Sequence, residues 1–570
     1  MKDRFGNEIG TDALPEKWAD LNWKAATKVV RNLRQRIYRA TQRNEWNKVR
    51  SLTSLMLKSK SNLLLAVRRV TQTNQGKKTA GVDNQLALNP QMRIQLIHEI
   101  LKLNPWKAKP AKRIYIPKAN GKKRPLGIPT LKDRVMQAVV KNALEPSWEA
   151  RFEANSYGFR PGRSCHDAIE QVHTRLRKGG DEWILDADIK GAFDHISHEY
   201  ILNALGAIPS RELIKQWLKA GYVEANKFNP RSTGTPQGGI VSPLLANIAL
   251  DGLETELLSN HRKVKKSKSK EYKGKTYYTN KYYPKFGYIR YADDFLVTAE
   301  TKEDLEAILP EIKEWLKKRG LELNEEKTNI VNKRDGFNFL GFTIRSYSDG
   351  TTLCKPQKDK MIAKLREIRG WLKRHKTVKP EEVIKHLNPI LRGWANYYRH
   401  CSSKEIFATF NHRIVQMLWQ WCKRRHHQKH LKRVKNKYFT VLGNDHWTFF
   451  ADTKDRTGKR KRLYLKDVSD IPILRHTKVE GAASPDDSTK VDYWKKRQSK
   501  LGSSVWAKGS KLYKVAQFQH WRCTECGDYL LNGEQIHTHH ITEVTKGGTD
   551  EIDNLIHLHQ ICHRKVHGTK

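Results

Sequence analysis

The stretch "YIRYADDFLVTAE" (residues 288–300) sets two acids, Asp293 and Asp294, between apolar runs that read as β-strands. Like charges held this closely repel, so the turn is expected to hold a cation. A strand–turn–strand that presents paired carboxylates suits hard ions such as Mg²⁺, which also keep bonds to substrate phosphates. A second acidic segment, "DADIKGAFDHI", ends an apolar strand 105 residues before Asp293 and supplies Asp186, Asp188 and Asp194. Strand alternation puts Asp186 and Asp188 on one face, and spacing leaves the choice among the three acids open. Three carboxylates gathered from the two segments suffice to hold two metal ions, the arrangement of polymerases and nucleases that displace in line at phosphorus.

The rest of the chain supports a polyanionic substrate. Lys and Arg number 108 against 60 Asp and Glu, a formal net charge of +48 over 570 residues, and the surplus runs the whole length. That balance points to a long nucleic-acid track. The length predicts about three to five domains. Seven cysteines, with Cys165, Cys354, Cys401 and Cys422 scattered, argue against a disulfide framework and for a reducing compartment. "MKDRFGNEIG" has no apolar signal core and no long apolar run follows, so export and membrane spanning are disfavoured. A cytoplasmic or nucleoid-associated protein is expected.

Residues 17–70 show helix-spaced apolar positions among basic ones, broken by "TNQGKKTAGVDNQ". "RIYIPKANGKKRPLGIPT" reads as two strands around an Asn-Gly turn with a basic tip. "STGTPQGGIVSPLLANIAL" runs from a Gly-rich loop into an apolar helix, so strands and helices mix in an α/β or α+β pattern. Residues 261–285 hold ten Lys or Arg and one acid, and read as an exposed basic insertion with tyrosines available for stacking. From residue 357 three amphipathic helices with basic outer faces predict a small bundle. "EGAASPDDSTK" marks a loop between two small units. No internal repeat is visible.

The blocks "RIYIPKANGKKRPLGIPTLKDRVMQ", "NSYGFRPGRS", "DIKGAFD", "TPQGGIVSPLLANI", "YADD", "GLELNEEKT" and "GFNFLGFTIR", in this order, resemble the motif series of reverse transcriptases encoded within bacterial group II introns. "LNPILRGWANYYRH" resembles the maturase or thumb domain of that family, and the terminal Cys/His segment resembles its HNH endonuclease. The resemblance implies a multidomain α+β protein. It would comprise an N-terminal helical basic extension (1–80), right-hand-like fingers and palm (81–350), a helical-bundle thumb (351–435), a DNA-binding region and linker (436–510) and a zinc-stapled ββα-metal HNH domain (511–570). Intron RNA, target DNA and deoxynucleoside triphosphates are the implied partners. The alternative is an RNA-binding maturase that has lost polymerase or nuclease activity.

The same resemblance implies residue roles. Asp188, Asp293 and Asp294 match the catalytic triad that holds two Mg²⁺, which selects Asp188 over Asp186 and Asp194. Phe193 matches the bulky residue under the incoming sugar. Gln237 matches a residue near the templating pair, and Lys118 and Arg124 match fingers residues that meet the triphosphate. Lys327 matches a lysine that meets pyrophosphate. Trp394 and Tyr398 either stack on RNA or pack the thumb bundle.

In the last 60 residues, "CTEC" and "HLHQIC" form two knuckles, and their spacing assigns Cys523, Cys526, His559 and Cys562 to one closed structural Zn²⁺ site. The remaining residues resemble the HNH hairpin. His540 would be the general base, Asn554 would orient it, and His539 with His563 would hold a divalent metal, expected to be Mg²⁺. His567 is a third ligand or a helix-end cation. His537 stands where related domains often place an acid, and His557 is expected to pack in the last strand.

Overall fold

The computed structural model describes residues 16–103, 106–117, 121, 123–272, 275–454, 458 and 460–568. At its centre is a four-stranded antiparallel sheet in the order Asn329–Asn332, Trp183–Asp188, Asp294–Ala299, Gly287–Tyr291. The two middle strands are apolar on both faces, and Ile184, Leu185, Leu296 and Val297 are fully buried between helices. The acids Asp186, Asp188 and Asp294 of these two strands gather towards the same end of the sheet. The register sets Asp188 opposite Asp294 and Tyr291 opposite Asp294 across the hairpin.

That hairpin closes in two residues, Ala292 and Asp293. Ala292 takes φ +60° while Asp293 keeps a negative φ, the pattern of a type II′ turn. A non-glycine residue in this region is strained, and the turn is braced from behind. Buried Arg290 donates from Nη1 to Asn247 Oδ1 at 2.9 Å and to the Ala292 carbonyl at 3.2 Å. Asn247 Nδ2 in turn donates to the Gly158 carbonyl at 2.9 Å. A Cβ on Gly158 would stand 2.3 Å from the Ala292 nitrogen, so only glycine lets "NSYGFRPGRS" lie against the turn.

A second sheet, ordered Lys123–Ile128, Ala111–Pro117, Tyr222–Glu224, Lys227–Asn229, forms the fingers wall. Its first hairpin is the one predicted. Lys118 lies outside the described residues. The Gly-rich loop joins this wall to the helix that follows it: Gly127 N donates to the Gln237 carbonyl at 2.7 Å, and Ile240 N donates to Gln137 Oε1 at 2.8 Å. Gln137 rides on the helix Leu131–Glu149, whose N-terminus is capped by the Thr130 hydroxyl.

The N-terminal helices Trp23–Gln42, Trp46–Lys58 and Lys60–Arg68 pack on that same helix. Buried Asn62 bonds the Met56 and Val139 carbonyls at 3.0 and 3.1 Å. The predicted thumb helices are Lys358–Arg374, Pro380–Tyr398 and Lys404–Arg425. Trp394 and Tyr398 are buried among them, Trp394 stacked on Phe410 at 4.0 Å, which decides for packing over RNA stacking. Residues 261–285, read as an exposed insertion, contain an antiparallel ladder of Arg262–Tyr272 on Lys275–Pro284. Residues 436–510 contain a three-stranded sheet, Phe439–Leu442, Asp445–Lys454 and Arg460–Tyr464, packed on the thumb, and the helix Val491–Val505. Arg34 ties the loop before that helix to the N-terminal region, with Nε and Nη2 on Asp486 at 2.8 and 2.7 Å. No helix among the described residues is long and apolar enough to cross a membrane.

Candidate functional site: an acidic turn and a histidine hairpin

The sheet brings Asp188, Asp293 and Asp294 together at one strand end, as expected. Asp294 opens onto the cleft, yet its enclosure, followed by repulsion from Asp293, Asp188 and Asp186, pushes its carboxyl up to about 7. Burial, then Asp188, raises Asp186 to about 6, and burial raises Asp293. The Arg124 guanidinium across the cleft acts on Asp293 in the opposite direction. Carboxyls raised first by enclosure and then by one another mark a site short of positive charge. Their oxygens fit hard divalent ions.

Asp194 is diverted from this cluster: Gln237 Nε2 donates to its Oδ2 at 2.9 Å and Arg231 Nη2 lies 3.5 Å from Oδ1. Gln237 therefore meets the floor of the cleft through Asp194. Phe193 is half-buried beside it, edge-on to Phe159 at 6.2 Å. Gly234 packs so closely on this backbone that a Cβ would meet the Asp194 carbonyl at 2.4 Å. Lys327 occupies a turn before the edge strand, and its Nζ lies 2.8 Å from Asp188 Oδ2. That bond raises the ammonium pKa. Asn324, which the sequence did not single out, donates from Nδ2 to the same oxygen at 3.1 Å and from its backbone N to the Asp188 carbonyl at 2.8 Å.

The raised values carry a pH prediction. An acid whose folded pKa lies above its ordinary value holds a proton that the unfolded chain has lost. The metal-free protein therefore loses stability as pH rises from about 4 towards 7. A bound divalent ion requires the ionised form, so metal binding releases protons. Divalent-ion binding at this turn is expected to weaken as pH drops below about 7, with excess metal moving the midpoint lower. A midpoint that ignores the metal concentration in a pH series of binding would contradict a shared metal site.

At the other end of the chain, Ile536–His540 and Leu555–His559 pair antiparallel and the helix Gln560–His567 follows, a ββα unit. Cys523, Cys526, His559 and Cys562 converge with all ligand atoms within 4.8 Å of one another and every side chain buried, a donor set that fits Zn²⁺. His539, His563 and His567 form a second such group. His539 Nδ1 and His563 Nε2 lie 3.1 and 3.2 Å from His567 Nε2, which favours His567 as a third ligand. Desolvation, then the neighbouring histidines, lowers the pKa of His539 and of His563, which keeps both imidazoles neutral as ligands must be. Three nitrogens suit a borderline transition-metal ion better than the Mg²⁺ expected from the sequence. The His537 ring is 5.0 Å from that of His563. His557 is fully buried as expected, stacked on Trp506 at 4.3 Å.

His540 stands beside this group, and the residue that touches it is Asp550, with Oδ1 2.6 Å from Nε2. Asn554, expected in that orienting role, clamps the intervening loop instead. Its Nδ2 donates to the Thr549 and Thr542 carbonyls at 2.7 and 3.0 Å, and its Oδ1 accepts from Thr542 N at 2.7 Å. Asn554 thus meets the chain after His540, with its carbonyl accepting from Ile541 N, and the loop that carries Asp550.

A palm sheet with paired acids at a turn, a basic fingers wall and an appended ββα histidine hairpin define a nucleic-acid polymerase joined to a nuclease. The family profiles agree along the chain: reverse transcriptase (RNA-dependent DNA polymerase) over residues 116–344, the N-terminal domain of reverse transcriptase over 18–100, the group II intron maturase-specific domain over 361–439 and HNH endonuclease over 523–569. Protein YkfC of Escherichia coli K12 is 36% identical over 312 residues, 51% of this chain and 82% of its own length. The group II intron-encoded protein LtrA of Lactococcus lactis subsp. cremoris is 31% identical over 492 residues, 70% of this chain and 80% of its own. An uncharacterized 91 kDa protein in a cob intron of Schizosaccharomyces pombe is 27% identical over 601 residues, 91% of this chain and 70% of its own. The chain belongs to the group II intron-encoded proteins, as a reverse transcriptase and maturase with a C-terminal HNH endonuclease domain. Both enzyme families use divalent metals, and the maturase and polymerase domains carry intron RNA and DNA binding.

Proposed function

We propose that this protein binds its own intron RNA, assists its splicing, nicks a target DNA with the terminal domain and copies the intron from the freed 3′ end. The observation that carries the reading is the register of Asp188 on Asp294 with Asp293 in the adjoining turn. In the polymerase step the primer 3′-oxygen bonds to the α-phosphorus of a deoxynucleoside triphosphate and pyrophosphate leaves. Two Mg²⁺ held by Asp188, Asp293 and Asp294 would supply charge neutralisation there. Lys327, paired to Asp188, is placed to carry a proton to the departing pyrophosphate. Arg124 faces the triphosphate, a role the motif match extends to Lys118; Phe193 floors the sugar site, and Gln237 with its glycine neighbours lines the templating pair.

In the nuclease step Asp550 fixes the tautomer of His540, whose imidazole takes the proton of the attacking water. A borderline divalent ion on His539, His563 and His567 would stabilise the phosphate charge, and Asn554 holds the loop. The zinc cluster of Cys523, Cys526, His559 and Cys562 is structural. The functional units follow the divisions 1–80, 81–350, 351–435, 436–510 and 511–570, and the ribonucleoprotein works in the bacterial cytoplasm, at the nucleoid. A maturase that has lost its polymerase would have no need of three mutually repelling acids. The test is to purify the protein with its bound RNA, sequence that RNA, and supply a DNA carrying the intron insertion site with deoxynucleotides. The expected products are a nicked strand and cDNA primed from it. Splicing of the bound RNA at limiting Mg²⁺ that does not respond to the protein would remove the maturase part.

A further inference from the structure

The Cys₃His cluster lies on a boundary between two parts of the chain. Its side chains, Cys523, Cys526, His559 and Cys562, are 0–3% exposed. The three cysteines share one apolar cluster with Trp18, Leu21, Trp23, Leu64 and Val67 of the N-terminal region. Arg68, the last residue of the helix Lys60–Arg68, crosses this boundary. It is 6% exposed, its Nη2 lies 2.8 Å from Cys562 Sγ, and its guanidinium sits 4.9 Å over the Trp23 ring. From the other side Lys565, three residues after Cys562, donates from Nζ to the Leu21 carbonyl at 3.1 Å.

Three thiolates and a neutral imidazole around Zn²⁺ leave a single net negative charge. Burying that charge alone is costly, and so is burying a guanidinium alone; together each compensates the other. An N–H donated to a ligand thiolate also fixes its orientation and tunes its hold on the metal. We propose that Arg68 is the outer partner of the zinc site, and that zinc loading clasps the endonuclease unit onto the N-terminal helices of the polymerase. The inference rests on the zinc reading of the cluster. Removing the ion takes away the centre that draws Cys562 and the other three ligands together beside Arg68. The docked arrangement then loses the charged contact that spans it, while the polymerase acids, held in a separate sheet, are untouched.

The test uses the full-length protein loaded with zinc. Arg68→Met keeps the length and apolar stem of the side chain and removes its charge and donors. It is expected to yield zinc to a competing chelator roughly 10- to 100-fold more readily, with Arg68→Lys between it and the wild type. Stripping zinc from the wild type is expected to speed backbone hydrogen exchange in residues 18–25 and 60–73, which contain no zinc ligand. Extension of a pre-annealed primer reports that each variant is folded. One zinc per chain released by Arg68→Met at the wild-type rate, or N-terminal exchange unchanged by zinc removal, would overturn the clasp. Protein that binds no zinc at all would remove the zinc reading itself and the clasp with it.

Discussion

Asp294→Asn is expected to lower primer extension on an RNA template by about 10³-fold, roughly 4 kcal/mol of transition-state stabilisation. The substitution keeps the shape of the side chain and removes one carboxylate from a site where Asp188 and Asp294 face each other across the sheet. Its effect on folding should have the opposite sign. Asp294 is held up to about 7 by enclosure and by three neighbouring acids, so a neutral amide relieves a repulsion that the metal-free protein carries at neutral pH. A thermal melt without divalent ions should show the variant at least as stable as the parent, and RNA binding and splicing should persist. Extension near the wild-type rate in a single-turnover assay would sink the assignment of this acid.

His540→Ala is expected to cut nicking of the target DNA by about 10²- to 10⁴-fold, the usual worth of a positioned general base. Extension of a primer already annealed to RNA should be unaffected, because His540 belongs to a two-stranded sheet of its own. Asp550→Asn should give a smaller loss together with a displaced pH profile, since it alters the partner of the imidazole and leaves the imidazole in place. If primer extension fell in parallel with nicking, the two sites would not be independent and the division of labour would be wrong.

The meeting of the three acids was legible because Asp188 ends one apolar strand, Asp294 opens another and Asp293 sits in the turn before it, while the choice of Asp188 came from the motif order and not from spacing. The zinc ligands were legible from two knuckle spacings. Asn324 and Asp550 were not, because each acts on a partner through a loop whose path no periodicity reveals. Arg290 and Gly158 were hidden for another reason. One is a buried cation and the other a bare backbone position, and both matter only because Ala292 turns with φ +60° next to them. Residues 262–284 hid their strands because lysine and serine lack the apolar alternation by which a half-buried strand is read, whereas a two-stranded ribbon can form with no buried face. Lys327 reads as a solvated lysine until the turn that carries it folds back onto Asp188.

The helix Gln560–His567 has only eight residues. Cys562 belongs to one metal group, His563 and His567 belong to the other, and Lys565 reaches the backbone of Leu21. Half of its positions are thus committed before solubility or helix propensity has any say. A single substitution anywhere among these four positions therefore disturbs a metal group or the contact with the N-terminal region.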